Sequence, residues 1–172
     1  MKTRIVIFIV ALFNCTIALA LPSWQLSSNG LGPIKIGMTL SQVQSITHQK
    51  LANTKPDKFQ AEDESCFYSQ FTDKSLAGIS LMVSYKKIVR IDITSNEYAT
   101  TKGIRIGDSE SEVLKNYPGI KVIQHHYDQK GHYLTYPVPL KDRGIRFETS
   151  GGKVSLMYAG QAREIQYVEA CV

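Results

Sequence analysis

Apolar and polar residues alternate along Val89-Arg90-Ile91-Asp92-Ile93-Thr94, a period of two that predicts a half-buried β-strand with its odd positions inward. Comparable runs at 66–71, 78–85, 120–127, 132–138, 144–149, 153–158 and 164–168 predict further strands. Turn-forming stretches separate them: Lys86-Lys87, Asp128-Gln129-Lys130-Gly131 and Ser150-Gly151-Gly152. Helical spacing is brief. Leu40, Val43 and Ile46 make one apolar stripe, and Val113, Leu114 and Tyr117 make another. Pro118-Gly119 stops the second helix, while the first continues raggedly to about Ala52. Connections this short imply that consecutive strands lie side by side and antiparallel.

Both helices open on the same string. Pro33-Ile34-Lys35-Ile36-Gly37-Met38-Thr39-Leu40-Ser41-Gln42-Val43 returns as Gly103-Ile104-Arg105-Ile106-Gly107-Asp108-Ser109-Glu110-Ser111-Glu112-Val113. Thr39-x-x-Gln42 and Ser109-x-x-Glu112 are capping boxes, in which the hydroxyl accepts an early helix amide and the amide or acid side chain reaches back. Gly37 and Gly107 precede them where the chain must turn sharply. Met38 and Val43 are spaced for a hydrophobic staple, which Asp108 replaces with a charge near the positive helix end. The likeness extends into the strands. Gly78-Ile79-x-Leu81 matches Gly144-Ile145-x-Phe147, and Val89-x-Ile91 matches Val154-x-Leu156 with a one-residue shift at the turn. The expected fold class is therefore α+β: two tandem repeats, 21–100 and 101–172, each a short capped helical segment packed on an antiparallel sheet. The matched positions cap, turn and fill the core, so they carry folding information rather than reactive groups.

The string I-x-I-G-[MD]-[TS]-x-x-[QE]-V, followed by strands and a glycine-led hairpin, resembles the small α+β repeat of the BamE/SmpA/OmlA outer-membrane lipoproteins. Two such units in tandem resemble beta-lactamase inhibitory protein, whose paired helix-plus-sheet domains grip an enzyme. The resemblance implies a protein-binding role. It transfers no contact residue to this chain.

The chain begins with a targeting pattern. Lys2 and Arg4 precede the apolar run Ile5–Phe13, and Ala18-Leu19-Ala20 is a small-x-small cleavage site, so 1–20 reads as a signal peptide. The run is too short to span a bilayer, which needs about 20 apolar residues, and no stable membrane insertion is expected after cleavage. The periplasm or the cell exterior is the expected location. Cys15 leaves with the signal, and Cys66 and Cys171 remain as an expected disulfide in an oxidising compartment. The formal charge of +5, reduced when Lys2 and Arg4 are removed, is too mild to predict nucleic-acid binding.

Chemistry is sparse. No nucleophile elbow, zinc-protease helix or phosphate loop occurs, so no catalytic residue and no cofactor is expected. Ser150-Gly151-Gly152-Lys153 reads as a hairpin turn, and Glu164 and Glu169 are oddly spaced for a carboxylate pair. His125 and His132 are the weak metal candidates. With a turn at 128–131 they would share a face, Tyr127 opposite His132, but two imidazoles need a third ligand. Tyr127, Asp128, His132, Tyr133 and Tyr136 surround one hairpin, and tyrosine offers large contact area at low entropic cost, so they form the candidate binding set. The expected function is an exported, non-enzymatic protein-binding module, inhibitor-like or an envelope-assembly adaptor. The alternatives are a cell-wall or carbohydrate binder and a metal-dependent hydrolase built on His125 and His132. Function is expected where the two copies diverge, at 53–65 and 125–136.

Overall fold

The computed structural model describes residues 24–54, 66–138, 142–169 and 171. The expected signal peptide and most of the polar stretch 53–65 lie outside them. The described residues form an α+β fold of two helices and two sheets, with strands predominating. The chain runs through β1 (Gln25–Ser27), β2 (Gly30–Leu31), β3 (Ile34–Lys35), α1 (Leu40–Thr47), β4 (Leu51–Thr54), β5 (Cys66–Phe71), β6 (Ile79–Ser84), β7 (Lys87–Ile93) and β8 (Ala99–Thr100). It continues through α2 (Glu110–Asn116), β9 (Lys121–Gln124), β10 (His132–Val138), β11 (Arg143–Ser150) and β12 (Lys153–Gln161). The small sheet has the order β3-β2-β1-β8, and the large one β4-β5-β6-β7-β12-β11-β10-β9. The large sheet is two antiparallel meanders, each preceded by a helix, joined where β7 pairs with β12.

Both helices start as their capping boxes require. Thr39 N–H donates to Gln42 Oε1 at 2.9 Å, while Gln42 N–H donates to Thr39 Oγ1 at 3.2 Å. Ser109 and Glu112 repeat this exchange at 2.8 and 3.3 Å. Each cap stabilises its helix by about 1 kcal/mol. Gly37 and Gly107 take φ values of 94° and 93°, which other residues rarely adopt. Gly37 N–H donates to the Ile88 carbonyl at 2.7 Å, and Ile88 N–H returns to the Met38 carbonyl at 2.8 Å. In the other half Gly107 N–H donates to Val154 at 2.8 Å, and Val154 N–H returns to Asp108 at 2.9 Å. One residue further along, each strand bulges: Val89 between Ile88 and Arg90, and Ser155 between Val154 and Leu156. The bulge breaks the expected alternation, so Ile88 points into the main core and Val89 to the opposite face.

The core lies between the helices and one face of the large sheet. Val43 and Val113 pack with Leu81, Ile91, Ile93, Leu134, Phe147 and Met157. Tyr117 completes it, with its ring edge-on to Phe147 at 5.1 Å and to Tyr136 at 5.2 Å.

Three expectations change. The segment at 164–168 is not a strand but a 3₁₀ turn, Glu164–Gln166, laid across the outer face of the large sheet. Helix α1 ends at Thr47 rather than about Ala52, and Leu51–Thr54 is a strand paired with β5; Gln25–Ser27 and Gly30–Leu31 are also paired strands, which their short apolar runs did not announce. Finally, β9 ends at Gln124, so the loop is 125–131. Its main chain is satisfied locally, which ends the ladder early: Gln124 Nε2 donates to the Asp128 and Gly131 carbonyls at 3.0 and 2.9 Å.

The C-terminal segment is held at both ends. Ile165 sits over Gly144, where a Cβ would come within 2.6 Å of Ile165 Cδ1. Cys171 is bonded to Cys66, closing a loop of 105 residues, a bond compatible with an oxidising compartment. The double variant Cys66→Ser/Cys171→Ser is expected to lose about 2–4 kcal/mol of unfolding free energy. Gly144→Ala is expected to lose about 1–3 kcal/mol by displacing Ile165. Urea titration measures both, and an unchanged midpoint for Gly144→Ala would refute the seating of Ile165.

Candidate functional site

The outer face of the large sheet carries a row of polar side chains buried by the C-terminal segment. Alternation along β7 puts Arg90 and Asp92 on this face, where an uncovered sheet would leave them in water. Both are buried instead. Asp92 accepts from Arg90 Nε at 2.7 Å, from Arg90 Nη2 at 2.8 Å and from the Tyr68 hydroxyl at 2.9 Å. Arg90 Nη1 donates to the Glu164 carbonyl at 3.1 Å and to the Tyr167 carbonyl at 3.4 Å, so the guanidinium also anchors the covering segment. It lies 4.3 Å from the centre of the Tyr158 ring.

The row continues across β12, β11 and β10. The Tyr158 hydroxyl donates to Glu148 Oε1 at 3.0 Å, and Glu148 Oε2 meets His125 Nε2 at 3.2 Å. His125 stacks on Tyr133 with ring centres 4.3 Å apart. Arg146 lies over the other side of this cluster, 4.9 Å from the Tyr133 ring centre. Its Nε donates to Thr135 Oγ1 at 2.8 Å, and its two other nitrogens donate to the main-chain and side-chain oxygens of Gln166. Beyond Gln166 the face opens into a cleft of about 250 Å³ lined by Lys121, Ile123, Thr135, Pro137, Arg146 and Gln166.

The candidate residues from the sequence do not gather at one surface. Tyr127 is 64 % exposed, and its hydroxyl donates to Glu169. Asp128 caps its own loop, accepting from Lys130 N–H at 2.8 Å. Tyr133 is 2 % exposed, held between His125 and Arg146, and Tyr136 packs on Tyr117 from the opposite face. The pleat separates these two tyrosines, since 133 and 136 differ by an odd number. His132 also faces the helix layer, where its Nδ1 lies 3.0 Å from Glu110 Oε2. His125 faces the other way, and its Nδ1 accepts the Tyr127 and Asp128 amides at 3.1 Å each. The two metal candidates are therefore on opposite faces, and each is engaged by a carboxylate. The one-face arrangement assumed a turn at 128–131. With the loop at 125–131, Gln124 and not Tyr127 stands opposite His132.

Sequence reasoning missed Tyr68, Arg90, Asp92, Arg146, Glu148 and Tyr158. Arg90 and Asp92 read as the wet side of an alternating strand. A signal was available: arginine and carboxylate at i and i+2 on one strand face are spaced to pair.

No family model matches the chain, and no curated protein matches it in sequence. Among solved structures, the fold is similar to that of the uncharacterized protein YfeY from Escherichia coli. The two share 14 % identity and a TM-score of 0.53 over 80 % of this chain and 99 % of that one. An extracellular protein containing an SCP domain from Bacillus anthracis matches at 12 % identity and a TM-score of 0.43, over 77 % of this chain and 47 % of that one. At such identities the likeness to YfeY concerns the fold alone.

Burial raises the Tyr68 phenol well above the ordinary tyrosine value, and the Asp92 carboxylate adds to the rise. Burial does the same to Tyr158, with the Glu148 charge adding. In the unfolded chain both lose their protons near pH 10. Their contribution is thus fully present below that pH. Above it the unfolded state binds fewer protons and stability falls, by up to about 1.4 kcal/mol per pH unit for each tyrosine. Urea midpoints measured from pH 8 to 11 are expected to show this decline. The Tyr68→Phe/Tyr158→Phe variant should show a flatter slope, and an identical slope would exclude these phenols as its source.

Proposed function

We propose that the chain is an exported, non-enzymatic protein-binding module, inhibitor-like or an envelope-assembly adaptor, working in the periplasm or outside the cell. On this reading it consists of two copies of one BamE/SmpA/OmlA-like unit, at 21–100 and 101–172. Support for the duplication comes from the matched capping boxes, the paired glycine turns on Ile88 and Val154, and the bulges one residue beyond each. Export is supported by the Cys66–Cys171 bond together with the signal-like start of the sequence.

The observation that carries the binding role is the β9 edge. This strand ends the large sheet, and all four of its side chains are exposed. Val122 is 42 % and Ile123 54 % exposed, with Tyr127 just beyond. His125 N–H donates to the Gly131 carbonyl at 3.0 Å, closing a bonded pair at the loop. Bonded and non-bonded pairs alternate along an antiparallel ladder. Ile123 therefore bonds inwards to Tyr133, while Val122, opposite Leu134, turns its main-chain N–H and C=O outwards. An apolar edge whose outward main-chain groups pair with no strand among the described residues is a template for an added strand.

Val122→Pro removes the outward N–H without costing the sheet a hydrogen bond. Tagged wild-type protein is expected to capture a partner from envelope extract that Val122→Pro and Ile123→Asp capture at least about ten-fold less, the equivalent of about 1.4 kcal/mol. Equal recovery by all three proteins would overturn the edge as the binding surface.

A further inference from the structure

Two arginines are buried on the outer face of the large sheet, and their surroundings differ. Arg90 has the Asp92 carboxylate against it. Arg146 is 1 % exposed, yet among the described residues no carboxylate lies within ion-pair distance of it. Its acceptors are neutral: the Thr135 hydroxyl, the two Gln166 oxygens and the Tyr158 hydroxyl, which stands between it and the Glu148 carboxylate. A buried cation is ordinarily paired, because neutral dipoles replace lost hydration poorly.

The cleft beside it lacks the same charge. Its lining contains two cations, Arg146 and Lys121, and no acid. Lys121 stands opposite Thr135, the residue that accepts from Arg146, and it too has no ion-pair partner among the described residues. Ile123 and Pro137 provide apolar wall. Gln166 is exposed, so its side chain can swing out and leave an Arg146 N–H to an arriving ligand. The volume of about 250 Å³ is below the roughly 300–1,000 Å³ of sites for drug-sized molecules. It suits one terminal residue of a chain or one small organic acid.

We infer that this cleft is a carboxylate-binding site. The acid group lies between Arg146 and Lys121 in the position now held by the Gln166 amide oxygen, and the apolar part of the ligand packs on Ile123 and Pro137. An ionised acceptor binds a guanidinium about twice as strongly as a neutral one, so the exchange favours the ligand. Arg146 lies two strands in from the β9 edge, about 10 Å at the usual strand spacing. A strand added at that edge pairs with main-chain groups and leaves Arg146 uncovered, but Ile123 belongs to both surfaces. Val122→Pro alters the edge without touching the cleft lining, so it tells the two readings apart: it is expected to lose the captured partner and keep carboxylate binding.

The test titrates ¹⁵N-labelled protein with sodium benzoate and, separately, with benzamide, its neutral counterpart. A short peptide with a free C-terminal carboxylate and its C-terminal amide form a second pair. Saturable shifts are expected for Arg146 Nε–H and for the amides of Ile123, Thr135 and Gln166 with the acids alone. Tighter binding of the peptide identifies a chain terminus as the ligand, and tighter binding of benzoate a free acid. Gln166→Glu supplies a counter-ion from within the chain and is expected to weaken binding at least about ten-fold. Because Gln166 is exposed, this variant tests the site without removing the buried arginine. The inference is overturned by no saturable shift with either acid, by equal shifts with the neutral partners, or by full binding to Gln166→Glu.

Discussion

The pairing of β7 with β12 joins two four-stranded meanders into one sheet, through Ile93 with Met157, Asp92 with Tyr158, Ile91 with Ala159 and Arg90 with Gly160. Each meander alone would be a small sheet with one buried face, carrying one helix. Joined, they share a core that runs unbroken from Leu81 to Phe147, and both central strands lose an edge. The pairing also sets the register of the other face. Because Asp92 lies opposite Tyr158, and Tyr158 opposite Arg146, polar residues from both meanders fall into one line across the strands.

That line is possible because the C-terminal segment covers it. A two-layer fold leaves one sheet face in water, and Arg90, Asp92, Arg146 and Glu148 would be ordinary surface residues there. Ile165 of this segment lies over Gly144, which has no side chain to obstruct it, while Gly160 opposite lets β7 approach closely, a Cβ there coming within 2.4 Å of the Val89 carbonyl oxygen. Its carbonyls at Glu164, Gln166 and Tyr167 accept from the two arginines. Cover and polar row therefore depend on each other: the segment desolvates the charges, and the charges satisfy the segment. The dependence is unequal across the sheet. At Arg90 the pairing is internal and complete, whereas at Arg146 the covering segment supplies neutral oxygens and ends at an open cleft.

Much of the local structure was legible in the residues. The capping boxes, the glycine turns, the Ser150–Gly152 hairpin and the Cys66–Cys171 bond are where their chemistry placed them. The candidate site was legible only in part. Tyr127 and Asp128 do lie on an exposed loop, but Tyr133 and Tyr136 face opposite sides, and His125 and His132 are separated by the sheet itself. The error came from the register of one hairpin. Gln124 and His125 turn back to bond their own loop, which ends β9 earlier than its composition suggests.

By itself the sequence determined what depends on neighbours along the chain: helix starts, turns, strand periodicity and the availability of two cysteines. Capping, left-handed turns and alternation are interactions over a few residues, so a short string contains all the partners they need. Only the tertiary structure decided which charges are buried. Arg90 finds its cover at Glu164 and Tyr167, and Arg146 its acceptors at Thr135 and Gln166, on separate elements of the fold. Burial is set by what the rest of the chain lays over a residue, and no local pattern records that.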